Sequence, residues 1–226
     1  MHFKFYIPLL LIMVLGFSSF YNHSHHLNVA PNKDGDFLEP GEKVPNFVTK
    51  DVLGNKVVLK KRLKNSNVLL TFLRPAWCPV CNARTHELIE NYEALKAQGL
   101  EVIAVYPSTA EKLKGYVNDL NIPFTVIADP EEELYRLYKI ERSKEKYAQT
   151  VKEAKGMEAF KKGQALFKKH GNDYGGSQQV EEPIIPADFI LEKDKIKEAH
   201  YGAFLGDHLV IENLQNDKKN TSKARF

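Results

Sequence analysis

At 226 residues and 43% hydrophobic content, the chain is long enough for one well-packed domain carrying a modest insertion or tail. Its formal net charge of +3 is spread along the sequence without a long arginine run, so the electrostatic footprint of a nucleic-acid binder is missing and that class is set aside. Both cysteines and the one tryptophan fall in a single stretch, RPAWCPVCNAR at residues 74–84, which leaves a structural disulfide, half of a metal site or a redox pair to choose among.

Residues 1–21 place Lys4 ahead of an uncharged run from Phe5 to Phe17, the pattern of a secretory signal or a short membrane anchor. The run falls short of the roughly 20 residues a comfortable span needs unless Ser18 to Tyr21 are counted in, so a cleaved signal and a retained anchor stand level. No cysteine follows the run, and a lipid-modified N-terminus has no support. Residues 22–40 are polar and aperiodic and read as a tether. His23, His25 and His26 lie in it, but an ordered metal site needs a rigid shell of supporting groups, and a solvated tether is the better reading.

From Gly41 the pattern becomes regular. In DVLGNKVVL, Asp51 to Leu59, Gly54 and Asn55 sit between two apolar runs as a hairpin turn does. NVLLTFL, Asn67 to Leu73, is almost continuously apolar, the mark of a strand buried on both faces. A helix is predicted over Asn82 to Gln98, with Cys81, Thr85, Leu88, Tyr92 and Leu95 recurring on one face and Gly99 closing it. EVIAVYP is the next strand, Thr109 to Leu120 the next helix and Phe124 to Asp129 a third strand. This alternation predicts right-handed crossovers around a parallel core.

A further helix is predicted at Pro130 to Lys139. The lysine-rich stretch from Ser143 to His170 carries Tyr147, Val151, Ala154, Phe160 and Phe167 and reads as a helical insertion, about 141–180, with Gly156 and Gly163 as interruptions and a basic face in solvent. After Gly171 to Ser177 the sheet resumes with ADFILEKD, Ala187 to Asp194, and KIKEAHYG, Lys195 to Gly202, joined at EKDK as an antiparallel hairpin. A short helix with Asp207 as its N-cap closes the domain near Leu214. The domain is thus placed at 41–214, with 215–226 as a polar tail.

The cysteines sit where a buried strand turns into a helix, with Cys78 at the helix start and Cys81 one turn inside. Unpaired N–H groups and the partial positive charge of a helix N-terminus favour a thiolate, so Cys78 is the expected nucleophile. Cys81, on the apolar stripe, is the less accessible thiol and suits the resolving role. Pro79 fits a first helical turn, where its missing N–H is not needed. A disulfide closing so short a loop would restrict the unfolded chain little, and structural zinc wants four ligands where one cysteine pair is present. A redox pair is the reading adopted.

WCPVC after a buried strand, together with IIPADFI at Ile184 to Ile190, resembles the thioredoxin superfamily over most of residues 41–214. The resemblance implies an α/β thioredoxin-like fold: a central mixed sheet flanked by helices, here with the helical insertion before the last two strands. It also implies a cis-proline loop facing the Cys-x-x-Cys helix, matched by Ile185 and Pro186; the residues alone support only a proline at a strand's first position. More narrowly, FLRPAWCPVC and PADFI resemble the alkyl hydroperoxide reductase and thiol-specific antioxidant branch, in its peroxiredoxin-like, redoxin-domain members, which include peroxidases and disulfide reductases. Where peroxiredoxins place Thr or Ser ahead of the peroxidatic cysteine this chain has Pro75, and where thioredoxins carry a buried Asp it has Phe72.

Arg74 is a candidate for stabilising the Cys78 thiolate, with a plain surface arginine as the competing reading. Arg84 and His86 lie off the apolar stripe and are expected in solvent. His200 and His208 have no assigned chemistry. Trp77 is expected on the partner-binding surface, and Trp77, Pro79, Ile185 and Pro186 make up the expected substrate-binding set. The resulting expectation is an exported or membrane-tethered thiol-disulfide oxidoreductase that needs no bound cofactor and no metal. Its partners would be protein disulfides or dithiols and a reductant that supplies electrons. The alternatives are a thiol peroxidase acting on hydroperoxides through the same Cys78 and Cys81, in which Arg74 or Arg142 would replace the missing hydroxyl, and a chaperone holding a soft ion such as Cu(I).

Overall fold

The computed structural model describes residues 37–170 and 182–214. The signal or anchor at 1–21, nearly all of the tether, the Gly171 to Ser177 stretch and the 215–226 tail lie outside the described residues. At the start of the described residues the Phe37 ring packs on Tyr201 at 4.2 Å and the Leu38 N–H donates to the Tyr201 hydroxyl.

The chain opens with a small antiparallel hairpin, β1 (Val48–Lys50) and β2 (Lys56–Val58), with Gly54 in the turn at φ 90°, where a glycine avoids the Cβ clash of the left-handed region. A single turn, α1 (Leu59–Arg62), leads to β3 (Asn67–Phe72), and α2 (Pro79–Ala97) follows it. β4 (Leu100–Tyr106), α3 (Ala110–Leu120) and β5 (Thr125–Ala128) complete the parallel part. Then come the short α4 (Glu133–Leu137), the insertion helices α5 (Lys144–Gln149) and α6 (Ala154–His170), and the closing pair β6 (Ala187–Glu192) and β7 (Lys195–Tyr201).

The five-stranded sheet runs β5-β4-β3-β6-β7, with β3, β4 and β5 parallel and β6 and β7 antiparallel to their neighbours. β3 is central, which explains its almost continuously apolar sequence: Val68, Leu70 and Phe72 enter one core while Leu69 and Leu73 enter the other. β6 follows the same alternation, so Asp188 and Ile190 share the face covered by α2.

Several expectations are corrected. The helix over 130–139 shrinks to α4, whose first N–H groups, of Glu133, Leu134 and Tyr135, are taken by the Asp129 carboxylate. Asp207 does not cap a helix; its carboxylate accepts from the Ala203 N–H and pairs with His200. No peptide bond among the described residues is cis, so the Ile185–Pro186 bond is trans.

Gly156 and Gly163 do not interrupt the insertion. Both lie inside α6, where they allow close backbone approach. A Cβ on Gly163 would stand 1.8 Å from the Pro79 carbonyl oxygen, so α6 meets the start of α2 between the two cysteines. Gly163→Ala is accordingly expected to cost about 1–3 kcal/mol by overpacking and to push α6 off the cysteine pair. Urea unfolding reads the first effect and the rate of Cys78 alkylation the second; an unchanged midpoint with unchanged reactivity would show that the two helices part freely.

Candidate functional site

Cys78 occupies the N-cap of α2 in an extended conformation, its N–H donating to the Pro75 carbonyl at 2.8 Å, and Pro79 takes the first helical position. Neither thiol is exposed: Cys78 and Cys81 are each 1% accessible, and both are free. The accessibility expected of Cys78 from its place at the helix start is therefore corrected, because the insertion helices cover that start. Arg74 is also buried, at 5% exposure, which removes the surface-arginine reading. Its Nη1 lies 3.5 Å from the Cys78 sulfur, and its backbone N–H donates to the Cys81 sulfur at 3.3 Å.

The two sulfurs are perturbed in opposite directions. The Cys78 thiol is brought down to about 6, first by a hydrogen bond from the Cys81 thiol, against the opposing effect of burial, and then by the Arg74 guanidinium and the N–H groups of Cys81 and Val80. Burial pushes the Cys81 thiol well up, helped by its donation to Cys78 and by the Cys78 charge. Below Cys81, the Thr85 hydroxyl donates to the Cys81 carbonyl at 2.9 Å and stands 2.7 Å from the Tyr106 hydroxyl. Phe72, where a thioredoxin would carry an acid, is fully buried among aromatic rings.

Trp77, Cys78 and Pro79 line a cavity of about 760 Å³ roofed by α5 and α6, and Arg74 lies in the same wall. Ile185 and Pro186 are not in that lining. They are buried, and their backbone is already paired: the Ile185 N–H donates to the Glu141 carbonyl and the Pro186 carbonyl accepts from Gly202. Trp77 is half-buried against the core rather than presented on an open surface. Arg142 is engaged elsewhere, with the Glu132 carboxylate and the Glu182 carbonyl.

Arg84 overturns the expectation of exposure. It is 4% accessible and points from α2 across to Asp188 on β6, Nη2 to Oδ2 at 3.1 Å. Asp188 is fully buried and also takes the Leu209 N–H at 2.9 Å and His208 Nδ1 at 3.1 Å. His86, by contrast, is half-buried. Reading by periodicity misses this network, although one signal was present: an acid inside the apolar run ADFIL has to find partners if the strand is central. Tyr147, which faces Arg74 across the cavity, carried no such signal. Among the described residues, no three His, Cys, Asp or Glu side chains are grouped as metal ligands.

The AhpC/TSA family model matches residues 40–199. The chain is 31% identical to the thiol-disulfide oxidoreductase ResA of Bacillus anthracis over 106 residues, which is 46% of this chain and 60% of that protein, less than two thirds of its length. It is 28% identical to a protein of Mycobacterium tuberculosis described as a peroxiredoxin, over 50% of this chain and 72% of that one. Among solved structures, a mutant of peroxiredoxin 6 of Arenicola marina superposes with a TM-score of 0.59 at 17% identity, covering 83% of this chain and 76% of that one. The superposition carries the thioredoxin-like fold.

Proposed function

The chain belongs to the AhpC/TSA family, and on that premise we propose that it is a thiol-disulfide oxidoreductase in which Cys78 attacks and Cys81 resolves. The observation that carries the reading is the placement of two thiols one turn apart at the start of α2, with Arg74 Nη1 3.5 Å from the Cys78 sulfur and the Arg74 N–H on the Cys81 sulfur, an arrangement that lowers the first thiol to about 6 and raises the second. A thiol of that kind is ionised at neutral pH yet still nucleophilic, because nucleophilicity falls only slowly as acidity rises. The Cys78 thiolate attacks a substrate disulfide and forms a mixed disulfide. Its negative charge, one cause of the raised Cys81 thiol, is then gone. Cys81 can ionise with the Arg74 N–H already donating to its sulfur, attack Cys78 and release the second substrate thiol. No bound cofactor enters these steps.

Peroxide reduction takes second place. It requires donors that hold and polarise the O–O bond, and the loss of one such donor commonly costs about a hundredfold or more. Pro75 offers neither hydroxyl nor N–H. In stopped-flow oxidation of the reduced protein, followed by the fluorescence of Trp77, a disulfide is expected to react much faster than hydrogen peroxide. The reverse order, with the peroxide reaction lost in Cys78→Ser, would make the protein a peroxidase.

The uncharged run behind Lys4 supports a domain that works outside the cytoplasm. Among the described residues no helix is long and apolar enough to cross a membrane. Reporters fused after residue 40 are expected to be active on the far side of the membrane, and activity confined to the cytoplasm would overturn this.

A further inference from the structure

Cys78 opens on the cavity under α5 and α6, and the chemistry of that cavity bears on which disulfide can reach it. The far walls are apolar, formed by Val151, Met157, Phe160 and Phe167. Among the described residues, Arg74 is the one charged side chain in the lining. Its guanidinium lies 5.6 Å from the Trp77 ring and 5.2 Å from the Tyr147 ring, has no carboxylate partner among the described residues, and keeps a buried Nε without a hydrogen-bond partner. A guanidinium carries five donors in a fork that fits a carboxylate, and leaving donors unused in an interior is costly. Cys78 engages one nitrogen, and the buried Nε has no partner, so the fork is not saturated.

An extended polypeptide finds the backbone ahead of β6, at residues 183–185, already engaged. Ahead of β6, the Ser143 N–H donates to the Pro183 carbonyl, Arg142 pairs with Ile184, and the Ile185 N–H donates to Glu141, so the chain entering the insertion already holds that segment. Cys78 is 1% exposed beneath α5 and α6, so any disulfide reaches it only by entering the cavity and displacing those helices slightly, which a slender molecule does more readily than the surface of a folded protein.

We infer that the cavity between the redox motif and the insertion is the substrate pocket, and that the substrate is a disulfide of low molecular mass whose sulfur is borne on an apolar organic body carrying an acid group. This rests on the exchange reaction proposed above and narrows its substrate. The apolar body fills the α5–α6 side while the acid meets Arg74, which sets the sulfur beside Cys78. The Cys78 thiolate attacks, the substrate S–S bond breaks and one organic thiolate leaves. Cys81 then attacks the Cys78 sulfur and the second organic thiolate leaves. Two electrons pass from the pair to the substrate, the Cys81 proton and one proton from solvent end on the two products, and a dithiol reductant restores the pair.

The test uses the full chain and has two arms. Reduced protein is mixed with 5,5′-dithiobis(2-nitrobenzoate), with the neutral 4,4′-dithiodipyridine, with cystamine and with insulin, each rate divided by that of free dithiothreitol with the same disulfide. The anionic aryl disulfide is expected to lead the neutral one by at least about tenfold and to saturate, with insulin last. Independently, Trp77 fluorescence of the Cys78→Ser, Cys81→Ser double variant is titrated with dodecanoate, dodecylammonium and acetate. Dodecanoate is expected to bind at least about tenfold tighter than dodecylammonium, and acetate not at all. Exchange that favours insulin or ignores substrate charge, or dodecylammonium binding as well as dodecanoate, overturns the pocket assignment and leaves the exchange reaction standing. Dodecanoate binding with no exchange toward any disulfide overturns the exchange reaction itself, and the substrate assignment with it.

Discussion

Replacing Cys78 by serine is expected to abolish disulfide exchange, a loss of at least about a thousandfold, because a serine hydroxyl beside the same groups is not ionised near neutral pH and cannot replace a thiolate nucleophile. Cys81→Ser is expected to do something different: the first attack survives and the reaction halts at a mixed disulfide with Cys78, visible as a stable adduct by mass spectrometry. The pH dependence follows from the same groups. With the Cys78 thiol brought down to about 6 by the Cys81 hydrogen bond and the Arg74 charge, its alkylation by iodoacetamide should rise through a midpoint near that value and level off by neutral pH. Arg74→Gln removes one of the lowering influences, so the midpoint should move upward. Burial slows the absolute rate at both sulfurs but leaves the midpoint readable. Alkylation of Cys81 ahead of Cys78, or turnover retained in Cys78→Ser, would exchange or cancel the two assignments.

Asp188→Ala is expected to destabilise the domain by about 3 kcal/mol, because the interior side of Arg84 loses its carboxylate and the guanidinium keeps only the half-buried Glu87, 2.8 Å from Nη1. Arg84, 4% accessible, would lose the carboxylate that meets its Nη2 at 3.1 Å, while the Leu209 N–H and His208 Nδ1 would lose their acceptor in the same step. Burial by itself would raise the Asp188 carboxyl; the charges of His208 and Arg84 outweigh it and hold the group below the usual carboxylate range. The sign of the pH effect follows. A carboxylate held lower in the folded than in the unfolded chain contributes stability that is complete above its unfolded value of about 4 and drains away as the pH falls below it. Urea midpoints at neutral pH and near pH 3 should therefore differ more for the native chain than for Asp188→Ala. Equal stability of the two chains at neutral pH would mean that Glu87 alone suffices to hold the Arg84 charge.

The elements around the cysteines were legible because each rests on a local pattern. The apolar run of β3, the turn glycines, Gly99 behind α2 and the EKDK hairpin are requirements that a residue's own backbone and its immediate neighbours impose. The same holds for the cysteine pair at a strand-to-helix junction, since the N-cap and the proline after it are set within one turn. Gly156 and Gly163 show the limit: a glycine's lack of a side chain reads alike whether it ends a helix or lets another backbone approach, and the second reason exists only once α6 lies against Pro79.

By itself, then, the sequence determined the succession of strands, the helices α2 and α3, the antiparallel closing hairpin and the position of the two thiols. Tertiary structure alone decided that Cys78 is covered, that Arg74 reaches its sulfur, that the Ile185–Pro186 bond is trans and that Arg84 is an interior residue. The physical reason is distance along the chain. Periodicity reports which face of an element is apolar, whereas the burial of a charge depends on a buried partner, and for Arg84 that partner, Asp188, is 104 residues away, on a strand brought beside α2 only by the completed sheet.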